Sequence, residues 1–145
     1  MAVDRSFIAR NHASTDRMRT LTELLTDEQL QHPVGQHWTV AIALAHLTFW
    51  EIRLLQILDT SEREGHLVAP AIDILVNDLS LPLWALIPPR ASARLAVETA
   101  QAVDKRLEGY PPALLEAVYA ANERWVVRCS HRDEHLDEIE AVLRG

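Results

Sequence analysis

Residues 60–90 read TSEREGHLVAPAIDILVNDLSLPLWALIPPR, and the reading of this stretch decides the fold. Glu62-Arg63-Glu64-Gly65-His66 makes a polar turn, after which an apolar segment from Ala71 to Leu81 allows a helix. Pro82, Pro88 and Pro89 then break the pattern, because proline lacks an N–H and crowds the preceding turn. About thirty residues is far more than two antiparallel helices need as a connection. It is enough to travel the length of a 20-residue helix, roughly 30 Å, and let the next helix run parallel to its predecessor. A helical bundle with one long crossover follows.

The flanking segments fit that plan. Thr39 can cap a helix running to about Thr60, with Ile42, His46, Phe49, Trp50, Arg53 and Ile57 on its inward stripe. Trp38, just ahead of the cap, reads as an anchor for the helix entry. Beyond the crossover, Ser92 to Leu107 forms a third helix, with Leu95, Thr99, Ala102, Val103 and Leu107 as inward positions. Gly109 is placed to stop it, and Pro111-Pro112 prevent continuation. Upstream, Asp4 to Leu25 is helical, with Phe7, Asn11, Ser14, Met18, Leu21 and Leu25 spaced as an inward stripe. Asn11 and Ser14 interrupt its apolar character, so that end either faces solvent or lines a polar cavity. Thr26-Asp27-Glu28-Gln29 has the form of a capping box and starts a brief turn ending near Gln31; His32 to Gln36 is a loop. Ala113 to Leu143 is helical in pattern, as one helix or as a short helix followed by a longer one. Within it Val118, Asn122, Trp125 and Cys129 step by four, three and four, which gives Cys129 an interior place as a small hydrophobe.

Composition narrows the function classes. A chain of 145 residues, 48% hydrophobic and 24% charged, is expected to be one folded domain over 1–145. With a net charge of −7 and scattered basic residues it lacks the basic stripe of a nucleic-acid binder. The single cysteine excludes an internal disulfide. No apolar run approaches the roughly 20 residues of a membrane span, and the N-terminal segment lacks a signal-peptide core. A cytoplasmic location without membrane association is therefore expected. No Gly-rich phosphate loop and no G-x-S-x-G nucleophile elbow occurs.

The chemistry gathers on histidine. His131 and His135 are four apart on a helix, so they leave one face about a turn apart, the spacing of a chelating pair. They share a stripe with Ile139 and Val142, which favours an inward orientation. His46 lies in the middle of an apolar face in another helix, where an unpaired imidazole is costly. Taken singly, each histidine reads as a satisfied core or surface residue; three aimed into one bundle read as a metal site. Neutral imidazoles suit zinc, nickel, copper or iron better than magnesium or calcium, and three of them leave room for water or substrate. His12, His32, His37 and His66 fall on loops or exposed faces.

Two segments carry a family resemblance. Trp38-Thr39-Val40-Ala41-Ile42-Ala43-Leu44-Ala45-His46-Leu47 resembles the W-[ST]-x(5,6)-H-[LI] segment of the DinB-like (damage-inducible, YfiT-related) superfamily. His131-Arg132-Asp133-Glu134-His135-Leu136-Asp137-Glu138-Ile139 resembles its C-terminal H-x-x-x-H-x-x-x-I segment. The resemblance implies an all-α four-helix bundle, up-down-down-up, with the long crossover between helices 2 and 3. It implies a divalent metal (zinc, nickel or iron) held by His46, His131 and His135, and frequently a homodimer. Characterised relatives include transferases and isomerases that use a low-molecular-weight thiol, a chemistry the metal favours by lowering the thiol pKa.

Three functions compete on these grounds: a metal-dependent thiol S-transferase acting on a small molecule, a metal-dependent hydrolase, and a non-catalytic stress or binding protein with a vestigial metal. Glu138, one turn beyond His135, and Glu51, downstream of His46, are the candidate bases, set against plain solvated carboxylates. Asn11, Trp50, Arg53, Asn77 and Arg128 are the candidate cofactor contacts, set against structural or solvated roles.

Overall fold

A computed structural model describes residues 2–145. The chain is mostly helical. Four long helices, α1 (Phe7–Leu24), α3 (Val40–Glu64), α6 (Pro89–Glu108) and α8 (Cys129–Arg144), carry the core. Shorter helical segments connect them: α2 (Asp27–Leu30), α4 (Val76–Leu79), α5 (Leu81–Trp84) and α7 (Pro112–Ala121), with a 3-10 turn at Glu123–Trp125. Helix α6 packs along α3 and α1, α1 also lies along α8, and α8 touches α3.

Local chemistry explains most boundaries. The Thr26 hydroxyl accepts from the Gln29 N–H while the Gln29 side chain accepts from the Thr26 N–H, a complete capping box at α2. The Thr39 hydroxyl accepts from the Ile42 N–H at 3.2 Å and starts α3. Gly65, at φ +78°, ends α3 in the left-handed conformation that favours glycine, one turn beyond the expected Thr60. Helix α6 opens at Pro89 rather than Ser92, because proline's missing N–H costs nothing in a first turn. A two-stranded antiparallel ribbon, β1 (Pro33–Val34) and β2 (Trp38–Thr39), occupies the expected loop, turned by Gly35 at φ +68°.

Several expectations need correction. Ala102 is exposed; the inward stripe of α6 is Ala93, Ala96, Ala100, Val103 and Leu107. The segment from Ala71 to Leu81 is not one helix but loop and turn followed by α4 and the start of α5. Of the two readings left open for the C-terminal third, the short helix followed by a longer one is found, broken where the Asn122 side chain accepts from the Arg124 N–H and begins the 3-10 turn. Helix α3 is long and apolar enough, by length and composition alone, to cross a membrane, although 72% of its most apolar window is buried inside the protein.

The core is chiefly two large clusters, with a smaller third of Ile42, Ala45 and Trp84. Met18, Leu44, Leu47, Ala96, Ala100, Leu136 and Ile139 pack in one cluster. Phe7, Leu54, Leu58, Val103, Leu107 and Cys129 pack in the other. On every long helix, polar residues fall at the junction of the two: Asn11, Ser14 and Thr15 on α1, Glu51 on α3, Asp104 on α6 and Arg132 on α8, all buried. Arg132 is fully buried and reaches all of them. Its Nη1 donates to Asn11 O (3.1 Å), Ser14 Oγ (3.2 Å), Thr15 Oγ1 (3.0 Å) and Asp104 Oδ1 (2.8 Å), and its Nε to Glu51 Oε1 (3.1 Å). The alternatives left open for Asn11 and Ser14 resolve as neither solvent nor ligand cavity: the Ser14 hydroxyl and the Asn11 carbonyl face this arginine, and the Asn11 side chain bonds the backbone at the start of α8.

Candidate metal centre

The three histidines converge. His46 comes from the second turn of α3, fixed by the Thr39 cap, while His131 and His135 stand one turn apart on α8. Their ligand atoms all lie within 4.8 Å of one another. His46 Nε2 and His131 Nε2 are 3.2 Å apart. Two nitrogens sharing one zinc at ordinary bond lengths and a tetrahedral angle would stand about 3.3 Å apart.

Side-chain partners assign His46. An indole N–H only donates, and that of Trp50 meets Asn77 Oδ1 at 3.0 Å, so this atom of the amide is the oxygen. The same oxygen faces His46 Nδ1 at 3.1 Å. Nδ1 therefore carries the ring proton, and Nε2 presents its lone pair towards the other histidines. An outer partner that fixes the tautomer in this way is what metal-binding histidines usually have.

The 3.2 Å contact also suits a hydrogen bond from His131 Nε2–H to His46 Nε2 in a metal-free protein. The third ring leaves the set incompletely hydrogen-bonded. His135 Nδ1 is buried without a hydrogen-bond partner, with Glu138 Oε2 3.6 Å away. A third imidazole this close to two others, with a nitrogen left unsatisfied, is costly unless the group has another use.

All three rings are held neutral, the form that binds metal. Burial pushes the His46 pKa down to about 4, and repulsion from His135 adds to it. Burial and the nearby Arg128 push His131 down to about 2. His135 is lowered chiefly by burial, against the opposing pull of Glu138 and Glu134. Aromatic rings supply the dry surroundings. Trp38 lies 4.8 Å from His46 and stacks on His135 at 6.0 Å, and Trp84 meets His46 edge-on at 5.8 Å. Trp38 thus does more than anchor the helix entry. The roles of Trp38 and Trp84 were not legible, since neither falls on the periodic stripe that carries His46.

The remaining candidates separate by position. Asn77 and Trp50 touch the centre through the shared oxygen. Arg128 lies behind His131, with Nη2 3.5 Å from its Nδ1 and 3.2 Å from Glu51 Oε1. Glu51 does not fit the role of a base. Burial opposes its ionisation, but Arg128 and Arg132 outweigh that and hold its pKa below the usual carboxylate range. Glu138 is exposed and beside the Nδ1 edge of His135, where it can orient the ring. Asn11 is spent on structure: its Nδ2 donates to Val126 O at 2.8 Å, and its Oδ1 accepts from the Cys129 N–H at 3.0 Å, capping α8 from another helix. Arg53 donates to Pro70 O and lines a cavity that reaches His131. His12, His32, His37 and His66 are exposed, and Cys129 is buried in the core.

No family model matches the chain, and no curated protein or solved structure matches it either.

Proposed function

We propose that the protein is a DinB-like, divalent-metal-binding enzyme that transfers a low-molecular-weight thiol to or from a small molecule. The observation that carries the reading is the meeting of three neutral imidazoles, from α3 and α8, within 4.8 Å. Their chemistry suits zinc, nickel or iron. The proposal includes an up-down-down-up four-helix bundle. The order of core residues supports it: α1 and α8 run from the Phe7–Cys129 cluster towards the Met18–Ile139 cluster, and α3 and α6 run the opposite way.

The chemistry a divalent cation supplies in such a place is a lowered pKa for a bound thiol or water. The chain's own part is positioning. Asn77 and Trp50 fix the His46 ring, Glu51 holds Arg128 behind His131, and the indoles exclude water. A thiol is favoured over water as the nucleophile because it is the more acidic of the two and needs a base less. The cavity wall that includes His131 carries arginines and tryptophans and no carboxylate, and Glu51 is already paired. The exposed Leu75, Leu79, Leu83 and Leu86 of the crossover support a homodimer. The cytoplasm, without nucleic acid or membrane as partner, completes the proposal.

Elemental analysis of tag-free protein tests the premise, with about one metal per chain expected. Conjugation of a generic electrophile is then assayed with mycothiol, bacillithiol and glutathione, before and after chelation. A metal-dependent rate with one thiol supports the transferase. Metal without any such rate supports the non-catalytic alternative, and a chain without metal refutes both.

A further inference from the structure

We propose that the cavity beside His131 binds a small, apolar-bodied monocarboxylate, with Arg53 as the anchor for its carboxylate. The cavity holds about 350 Å³, and Trp50, Arg53, Leu54, Trp125, Arg128 and His131 are among its walls. That is within the range of small-molecule sites, roughly 300–1,000 Å³. Three arginines border it, but two are already neutralised. Arg124 makes a two-pronged pair with Glu134, at 3.1 Å on each side. Arg128 is held by Glu51 at 3.2 Å. Arg53 has no carboxylate partner among the described residues. Its Nη2 donates one N–H to the Pro70 carbonyl, which leaves the other four N–H groups, among them one complete two-pronged edge, free to bind.

One unpaired guanidinium against two indoles and a leucine selects the ligand class. A planar carboxylate matches the guanidinium fork, while the indoles and Leu54 take an apolar or aromatic body. A phosphate ester, carrying nearly two charges, would need more free cations than the cavity offers. Partial burial lowers the pKa of Arg53, which is the cost of a desolvated cation with no counter-charge. A carboxylate in the cavity removes that cost. The His131 wall places the bound acid beside the histidine centre, so the inference deepens the transferase reading and rests on it for the role of the acid. The site itself stands on Arg53 alone.

Benzoate and its uncharged counterpart benzamide are the probes, with binding followed by tryptophan fluorescence and calorimetry. Both are titrated into metal-loaded and chelator-treated protein, wild type and Arg53→Gln, with metal content measured on each sample. Benzoate is expected to bind at least tenfold more tightly than benzamide with or without metal. Arg53→Gln is expected to erase that preference. Equal binding of the two probes, or no saturable benzoate binding up to about 10 mM, overturns the proposal. So does benzoate binding that survives Arg53→Gln but vanishes on chelation, since the acid would then sit on the metal. Arg53-dependent binding by protein that takes up no metal even when metal is supplied upholds this site and refutes the metal reading instead. Should Arg53→Gln fail to fold, wild-type NMR decides: contacts from the benzoate ring to the indole protons of Trp50 or Trp125 support the site, and their absence at saturation overturns it.

Discussion

Arg132 and Glu51 meet at 3.1 Å with neither side chain more than 1% exposed. Two ions taken this far from water gain little over a well-packed apolar pair, but removing one strands the other. Glu51→Ala leaves Arg128 and Arg132, neighbours one turn apart at the start of α8, with Asp104 as the remaining carboxylate of that layer. The expected loss is about 3–5 kcal/mol in urea denaturation of the metal-free protein. A loss under about 1 kcal/mol would show that water replaces the carboxylate.

Acid should destabilise the metal-free chain well before its carboxylates titrate. Unfolded imidazoles take up protons near pH 6.5, whereas His46 does so only at about 4 and His131 at about 2. Unfolding therefore binds protons between those values, and stability falls as pH drops from about 6.5 towards 4. Each such histidine contributes at most about 1.4 kcal/mol per pH unit. Thermal melts across that interval check the slope, and replacing His46 with Gln should make it shallower.

Asn77→Ala removes the oxygen that holds the His46 tautomer. Loss of such an outer partner typically costs 10–100-fold in metal affinity, and competition against a chromogenic chelator measures it. Trp50→Phe keeps that oxygen and should cost less.

Asn11→Ala removes two buried hydrogen bonds at once, to Val126 O and from the Cys129 N–H. About 1–3 kcal/mol of stability should be lost. Because the second bond starts the helix that carries His131, metal affinity should fall as well, although Asn11 touches no histidine. Unchanged metal affinity would show that α8 keeps its place without the cap.

The sequence made the histidine centre legible because a chelating pair has a fixed helical spacing and His46 stood out on an apolar stripe. Thr26 and Thr39 were equally legible as caps, since their hydrogen bonds are local. The buried layer was not. Arg132 sits between His131 and Asp133 in a highly charged run, and nothing in that run marks it as the fully buried member. Its partners come from three other helices, so only packing reveals them. The break at Asn122 was hidden for a related reason. The steps from Val118 to Cys129 mimic a helix, while the side-chain bond from Arg124 N–H to Asn122 that interrupts it is a local competitor of the helical ladder.

Asn77 belongs to the crossover, 31 residues along the chain from the histidine that it holds. A cation at the histidines and an ordered connection between α3 and α6 therefore draw on one binding equilibrium, and each strengthens the other to the same extent. Proteases would detect that linkage without any substrate. Cleavage between Gly65 and Leu75 should quicken on chelation and slow again when metal is restored.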